Sequence, residues 1–452
     1  MMKAILSLLA VAGAGLVDAQ PPPVVAIRDA RVVRISGPAL SKATVVVRDG
    51  LIEAVGEDVP IPADAWVIDG TALTVYPGLI DGLSSWGIPS AAPAEGTSPF
   101  RRSAETPPTP GPPAATPPTA LAQAQPARGP EDRPLTTSWE RAADLIQASD
   151  RRLEAARNAG FTSAVTFPLR GIIAGHGAVI NLAGDHARRM VVASPIGLYL
   201  ALSSTGFTGG YPGSLMGTFA YIRQVWLDAE HYRQAKEDYA RGAAGKKRPD
   251  YDRALDGVLE ARRILFPAST AIEIDRALRF AAELKTPAVI YGLHAGYAAA
   301  DLLKKNNAAV LVNLRWPEKA RDANPDVEDS YRVLDLRDKA PSTPAALSKA
   351  GVRFAFYSGG IETPRDILRA ARKAIDAGLA EDAALRAMTL SVAEIYGVAD
   401  RLGSIDKGKI ANLVVADGSL FAENTKVKYI LIDGVKYEPG PETPARGEEV
   451  SR

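Results

Sequence analysis

Val75-Tyr76-Pro77-Gly78-Leu79-Ile80-Asp81-Gly82-Leu83-Ser84-Ser85 separates two regions of different hydrophobic pattern. Upstream, residues 24–27, 43–47, 51–55 and 65–68 are short Val- and Ile-rich runs of strand length. Arg48-Asp49-Gly50 joins the middle two, and Asp-Gly suits a tight hairpin whose central residues take positive φ. Downstream, from Ser138 on, helical and strand-like segments alternate. Helices are expected at 144–158, 273–284, 298–305 and 364–377, and strands at 163–167, 288–291, 309–312 and 353–356. Such alternation predicts a parallel α/β architecture. Arg401-Leu402-Gly403-Ser404-Ile405-Asp406-Lys407-Gly408-Lys409-Ile410-Ala411 ends that region, and β patterns return at 411–415 and 427–432, with Asp433-Gly434 as a turn. Two β segments around an α/β centre predict one composite β domain closed by both ends of the chain.

Composition narrows the chemistry. Of 452 residues, 46% are hydrophobic and 23% charged, a globular balance. Lys and Arg number 53 against 52 Asp and Glu, so a net charge of +1 offers no bulk attraction to nucleic acid or to anionic membranes. Cys is absent, which excludes disulfide scaffolds, thiol nucleophiles and Cys-ligated metals. His occurs only four times, at 176, 186, 231 and 294.

Residues 1–19 read as a secretory signal peptide: Lys3, then an apolar run, then a small-residue site with cutting expected after Ala19. An exported protein follows, periplasmic or extracellular, with no membrane span after cleavage. The expected domains are then 20–76, the N-terminal part of a β-sandwich; 77–400, the α/β region; and 401–440, the C-terminal part of the sandwich. Within the centre, 88–135 is a Pro-rich insert expected to be a mobile loop with polyproline character, and 211–262 is a helical excursion without strand signal. Residues 441–452 are expected to be a disordered tail.

The Pro-Gly-Leu-Ile-Asp run at 77–81 and the Gly-Ser-Ile-Asp-Lys-Gly-Lys-Ile-Ala run at 403–411 together resemble the amidohydrolase superfamily, closest to its imidazolonepropionase-like members. The likeness extends to VVVRDGLIEAVG at 45–56, to 160–165, to 384–397 and to VKYILIDGVKY at 427–437. The resemblance implies a TIM-type (β/α)8 barrel with its site at the C-terminal strand ends, plus a β-sandwich made from both termini. It also implies hydrolysis of carbon–nitrogen bonds, with one or two divalent metals lowering the pKa of a bound water.

The chain departs from that pattern where the metal should be held. The family's His-x-His pair follows the first-strand Asp, yet here Leu83 and Ser85 stand at the two positions. Leu offers no lone pair, and a neutral hydroxyl is a poor ligand. The fifth-strand His maps to Pro267, the sixth-strand His to Gly292 and the eighth-strand Asp to Gly359. The bridging Lys or Glu has no assigned position. No cofactor is therefore expected, Zn being the alternative. Weak catalytic candidates are His294, His176 and Asp81, and candidate pocket residues are His176, His294, Tyr297 and Ser358. His176, flanked by glycines, reads as a loop histidine with an ordinary hydrogen bond. Ser84, Ser85 and Ser358 lack a Gly-x-Ser-x-Gly elbow. The expectation is an exported, non-catalytic member that binds a small molecule or pairs with an active paralogue, as a homo- or hetero-oligomer. The alternative is an active hydrolase on a rebuilt site.

Overall fold

The computed structural model describes residues 24–89, 130–202, 211–319 and 328–440. The segment read as a signal peptide, most of the Pro-rich insert and the expected tail at 441–452 lie outside the described residues. Among the described residues no helix is long and apolar enough to cross a membrane.

The chain enters through β1 (Val24–Val32), β2 (Leu40–Arg48), β3 (Leu51–Gly56), β4 (Trp66–Asp69) and β5 (Thr74–Pro77). Asp49 and Gly50 take φ of 50° and 79°, the left-handed values that the Asp-Gly pair predicts for the β2–β3 hairpin. The α/β region contributes β6 (Leu79–Ser84), β7 (Phe161–Thr166), β8 (Ile173–His176), β9 (Ala178–Asn181), β10 (Val191–Ala193), β11 (Leu198–Leu200), β12 (Ile264–Ala268), β13 (Ala288–Gly292), β14 (Ala309–Asn313) and β15 (Arg353–Tyr357). The chain leaves through β16 (Leu413–Ala416), β17 (Val427–Ile432) and β18 (Val435–Tyr437).

Strands from both ends of the chain share one sheet. Its order is β18-β17-β16-β5-β1-β2-β3, with β4 beside β1, so β16 lies antiparallel to β5 with Leu413 opposite Pro77 and Val415 opposite Val75. Val25, Ile27, Val45, Val47, Leu413, Val415 and Leu431 pack one face. The two Asp-Gly turns meet, since a Cβ at Gly50 would lie 2.9 Å from Asp433 Oδ1.

The α/β region is mixed rather than wholly parallel. One sheet runs β10-β9-β7-β6 and the other β15-β14-β13-β12-β11-β8. Neighbours from β11 to β15 are parallel, as is β6 with β7, but β9 runs antiparallel to β7 and β8 antiparallel to β11. For β7 and β9 the reason is connection length: only residues 167–177 lie between them, and a parallel return needs a crossover of a dozen or more residues. Gly177 divides β8 from β9, so one extended run gives an edge strand to the second sheet and an inner strand to the first. At the opposite edges β6 and β15 come together: a Cβ at Gly82 would sit 2.5 Å from the Phe356 carbonyl oxygen.

One helix differs from expectation. The helix expected at 144–158 is broken into Ala142–Leu145 and α1 (Arg151–Asn158), because Asp150 turns its carboxylate back to the Arg152 N–H at 3.0 Å and starts a new helix. The excursion is α2 (Leu215–Ala240), begun by the Ser214 side chain accepting from Gly217 N–H, followed by α3 (Arg253–Leu259). Next, α4 (Ala271–Glu283) opens with a capping box between Thr270 and Glu273 and buries Ile274, Ala277, Phe280 and Ala281.

Replacing Gly50 by Ala should cost about 1–2 kcal/mol, since the left-handed backbone and the Asp433 contact both oppose a Cβ. A lowered urea midpoint with unchanged secondary structure at low urea checks this.

Candidate functional site

The β6–β15 seam carries the first functional question. Asp81 Oδ1 accepts the Ser358 N–H at 3.0 Å and the Leu83 N–H at 3.3 Å, while Oδ2 is buried without a partner. Tyr396 donates its hydroxyl to the Gly82 carbonyl at 2.7 Å. Burial pushes the Asp81 carboxyl up to about 6, against the pull of the Ser358 and Leu83 contacts.

The five positions that the resemblance assigns to metal ligands are not a donor set. Leu83 is buried among apolar neighbours. Ser85 is half-buried, and its hydroxyl and carbonyl oxygens accept from the Arg152 guanidinium at 3.2 and 3.0 Å. Pro267 lies on β12 opposite Tyr291. At Gly292 a Cβ would lie 2.9 Å from the Ala268 carbonyl oxygen, and φ is +112°. At Gly359 a Cβ would fall 1.7 Å from Asn313 Oδ1, so the Asn313 side chain fills the space an eighth-strand carboxylate would need. One hydroxyl among five positions does not fit a divalent cation, which requires three or four convergent donors. Among the described residues no three His, Asp or Glu side chains converge elsewhere.

Aromatic rings occupy the space between the sheets. Tyr199 and Tyr291 stack with centroids 5.3 Å apart and hydroxyl oxygens 2.8 Å apart, and the Tyr291 hydroxyl also lies 2.9 Å from the Leu200 carbonyl oxygen. Phe167 packs on Tyr199 at 6.0 Å and on Tyr396 at 6.3 Å, and Tyr357 meets Tyr291 edge-on at 6.3 Å. Burial holds the Tyr199, Tyr291, Tyr357 and Tyr396 phenols above their ordinary range, so they stay neutral.

The candidate residues do not assemble. His176 lies on β8 rather than in a loop; it is buried, with Nε2 2.7 Å from the Gly257 carbonyl oxygen and Nδ1 unpartnered. Burial lowers its pKa, and the ring faces α3. His294 is half-buried beside Trp316, at 6.3 Å between ring centroids. Burial lowers its pKa, against hydrogen bonds to the Arg315 and Asn313 backbones. Tyr297 donates its backbone N–H to Thr343 Oγ1 at 3.3 Å. Ser358 stays with Asp81 at the seam. None of these four lines either cavity described next.

Two cavities open at the C-terminal strand ends. One, of about 570 Å³, lies by β6 and β7 and is lined by Ser85, Phe167, Glu140 and Asp144 among others. The other, of about 460 Å³, lies over the end of β12 and is lined by Phe219, Phe266, Tyr291, Ser269, Glu273 and Arg276 among others. Sequence reading missed Phe219 and Arg276. They sit on separate helices, and nothing local in either helix marks them.

The family model described as the amidohydrolase family matches residues 292–436. A solved amidohydrolase from Thermotoga maritima MSB8 is 25% identical, with a TM-score of 0.72, covering 92% of this chain and 100% of its own. A prolidase complexed with N-methylphosphonate-L-proline is 18% identical, with a TM-score of 0.52, covering 92% of this chain and 99% of its own. Phenylurea hydrolase B is 16% identical, with a TM-score of 0.51, covering 92% and 97%. No curated protein sequence matches this one. The chain belongs to the amidohydrolase superfamily.

Asp81 gives a pH test. Its folded pKa of about 6 lies above its ordinary 3.8, so the folded state holds the proton more tightly and loses stability as pH rises from about 4 through 6. Asp81→Asn removes that loss. It should stabilise the protein at pH 7.5 relative to its effect at pH 4 by up to about 3 kcal/mol, read from melting curves of both proteins.

Proposed function

We propose that this protein is an exported member of the superfamily that has given up the catalytic metal centre and works as a ligand-binding or non-catalytic partner subunit. We read its two central sheets as the barrel of the family, closed across the β6–β15 seam and interrupted by the antiparallel run at 173–181. The observation that carries the functional reading is the block at Gly359. A missing ligand can be regained by one substitution, whereas a slot filled by Asn313 requires a second residue to move. The aromatic stack supports the same reading, since Tyr199, Tyr291 and Tyr357 fill the interior with neutral groups. The rebuilt-hydrolase alternative has less support, because Asp81, His176 and His294 stand apart with separate partners.

Elemental analysis of the mature, untagged protein grown with added Zn and Mn tests the reading. Metal below about 0.1 equivalent per chain is expected, and one or two tightly held equivalents would overturn it. Secretion of the full-length chain with its natural leader should yield a mature N-terminus at Gln20, read by intact mass.

A further inference from the structure

We infer that the cavity between α2 and α4, over the end of β12, binds a small molecule with an apolar body and one anionic group, which pairs with Arg276. The inference rests on the binding-subunit reading above and names the chemistry of its ligand.

The walls supply the apolar half. Phe219 reaches in from α2, Phe266 from β12 and Tyr291 from β13, around about 460 Å³. Phe219 and Phe266 sit 5.9 Å apart at 45°, and Tyr291 turns its hydroxyl inward to Tyr199 and Leu200, leaving ring surface toward the cavity. That volume is in the usual range for small-molecule sites of this apolar kind.

Charge supplies the other half. Four ionisable side chains border this cavity and the groove beside it on α4, besides Arg276 itself, and each is committed. Arg223 pairs with Glu283, and Arg279 pairs with Asp275 at 3.0 Å. Glu273 also lines the cavity, but its carboxylate accepts the Ser269 and Thr270 N–H groups at 2.8 and 3.2 Å, capping α4 instead of turning to the arginine one turn later. Arg276 has no carboxylate partner among the described residues. Its guanidinium lies over the Phe219 ring, 5.9 Å from the centroid, within the range in which a ring face holds a cation. An anion beside that guanidinium meets a fixed fork of donors with an aromatic floor next to it, which suits a carboxylate or sulfonate on a hydrophobic body. The second cavity, by β6 and β7, carries both signs of charge, with Glu140, Asp144 and Arg170 in its lining.

Calorimetric titration of the full mature chain with three probes of matched body tests this: 4-phenylbutyrate, 4-phenylbutylamine and 4-phenylbutanol. The carboxylate is expected to bind at least about ten-fold more tightly than the amine or the alcohol. Arg276→Gln should abolish that preference, while Arg279→Gln, on the same helix face but already paired, should keep it. Both positions carry exposed or ion-paired surface side chains, and unchanged melting curves verify that the variants fold. Equal binding of the three probes, no saturable binding of any, or an Arg276→Gln variant that still prefers the carboxylate would overturn the inference. Stoichiometric metal in the same preparation would instead overturn the loss of the metal centre while leaving the Arg276 result standing, so the two failures are distinguishable.

Discussion

The antiparallel pairing of β16 onto β5 is the constraint from which the rest of the architecture follows. It brings residues 413–416 against residues 74–77, so the α/β region must begin and end on neighbouring strands inside the β domain's sheet. Asn412, at the head of β16, reinforces the junction. Its side-chain Nδ2 donates to Ser163 Oγ at 2.9 Å and Asn181 Oδ1 at 2.7 Å, and its side-chain Oδ1 accepts the Asp433 N–H at 2.9 Å. A buried polar network of this kind specifies one register, because a shift would strand several hydrogen-bonding groups away from water. Strand β6 leaves directly from this junction, the Gly78 N–H donating to the Asn412 backbone carbonyl at 2.8 Å, and further along β6 Asp81 accepts the Ser358 N–H just past β15.

At the strand ends the same closeness works against metal chemistry. Glycine at 292 and 359 permits carbonyl or amide groups to approach where a ligand side chain would otherwise stand. The interior is packed with phenols and a phenylalanine in place of imidazoles. The open space lies to the side, in cavities between the sheet ends and the helices that follow them. The electrostatic character of each cavity is then set by which arginines and carboxylates are already paired, more than by the number of charges present.

Much of this was legible in the sequence. The β, α/β, β order follows from the Val/Ile runs and the alternation between them, and the turns at Asp49-Gly50 and Asp433-Gly434 follow from their side chains. The replacement of the first-strand ligands by Leu83 and Ser85 needed only position relative to Asp81. The antiparallel run at 173–181 was not legible, because Gly175, His176 and Gly177 interrupt its apolar pattern and mimic a loop. The break at 146–150 was also missed, since Asp150 acts as a cap only if the chain already turns there. The aromatic stack draws one ring from each of several strands, and Asn313 meets Gly359 across 46 positions of sequence. Such pairs leave no periodic trace.

The short connection between β7 and β9 has a kinetic consequence. These two strands pair over a separation of 18 positions or fewer, so the antiparallel unit closes a small loop and can form early, at low entropic cost. The Asp81–Ser358 contact joins residues 277 positions apart. The hairpin is thus placed to serve as a template on which the following strands add in chain order, with the first and last strands meeting only when the intervening ones are in place.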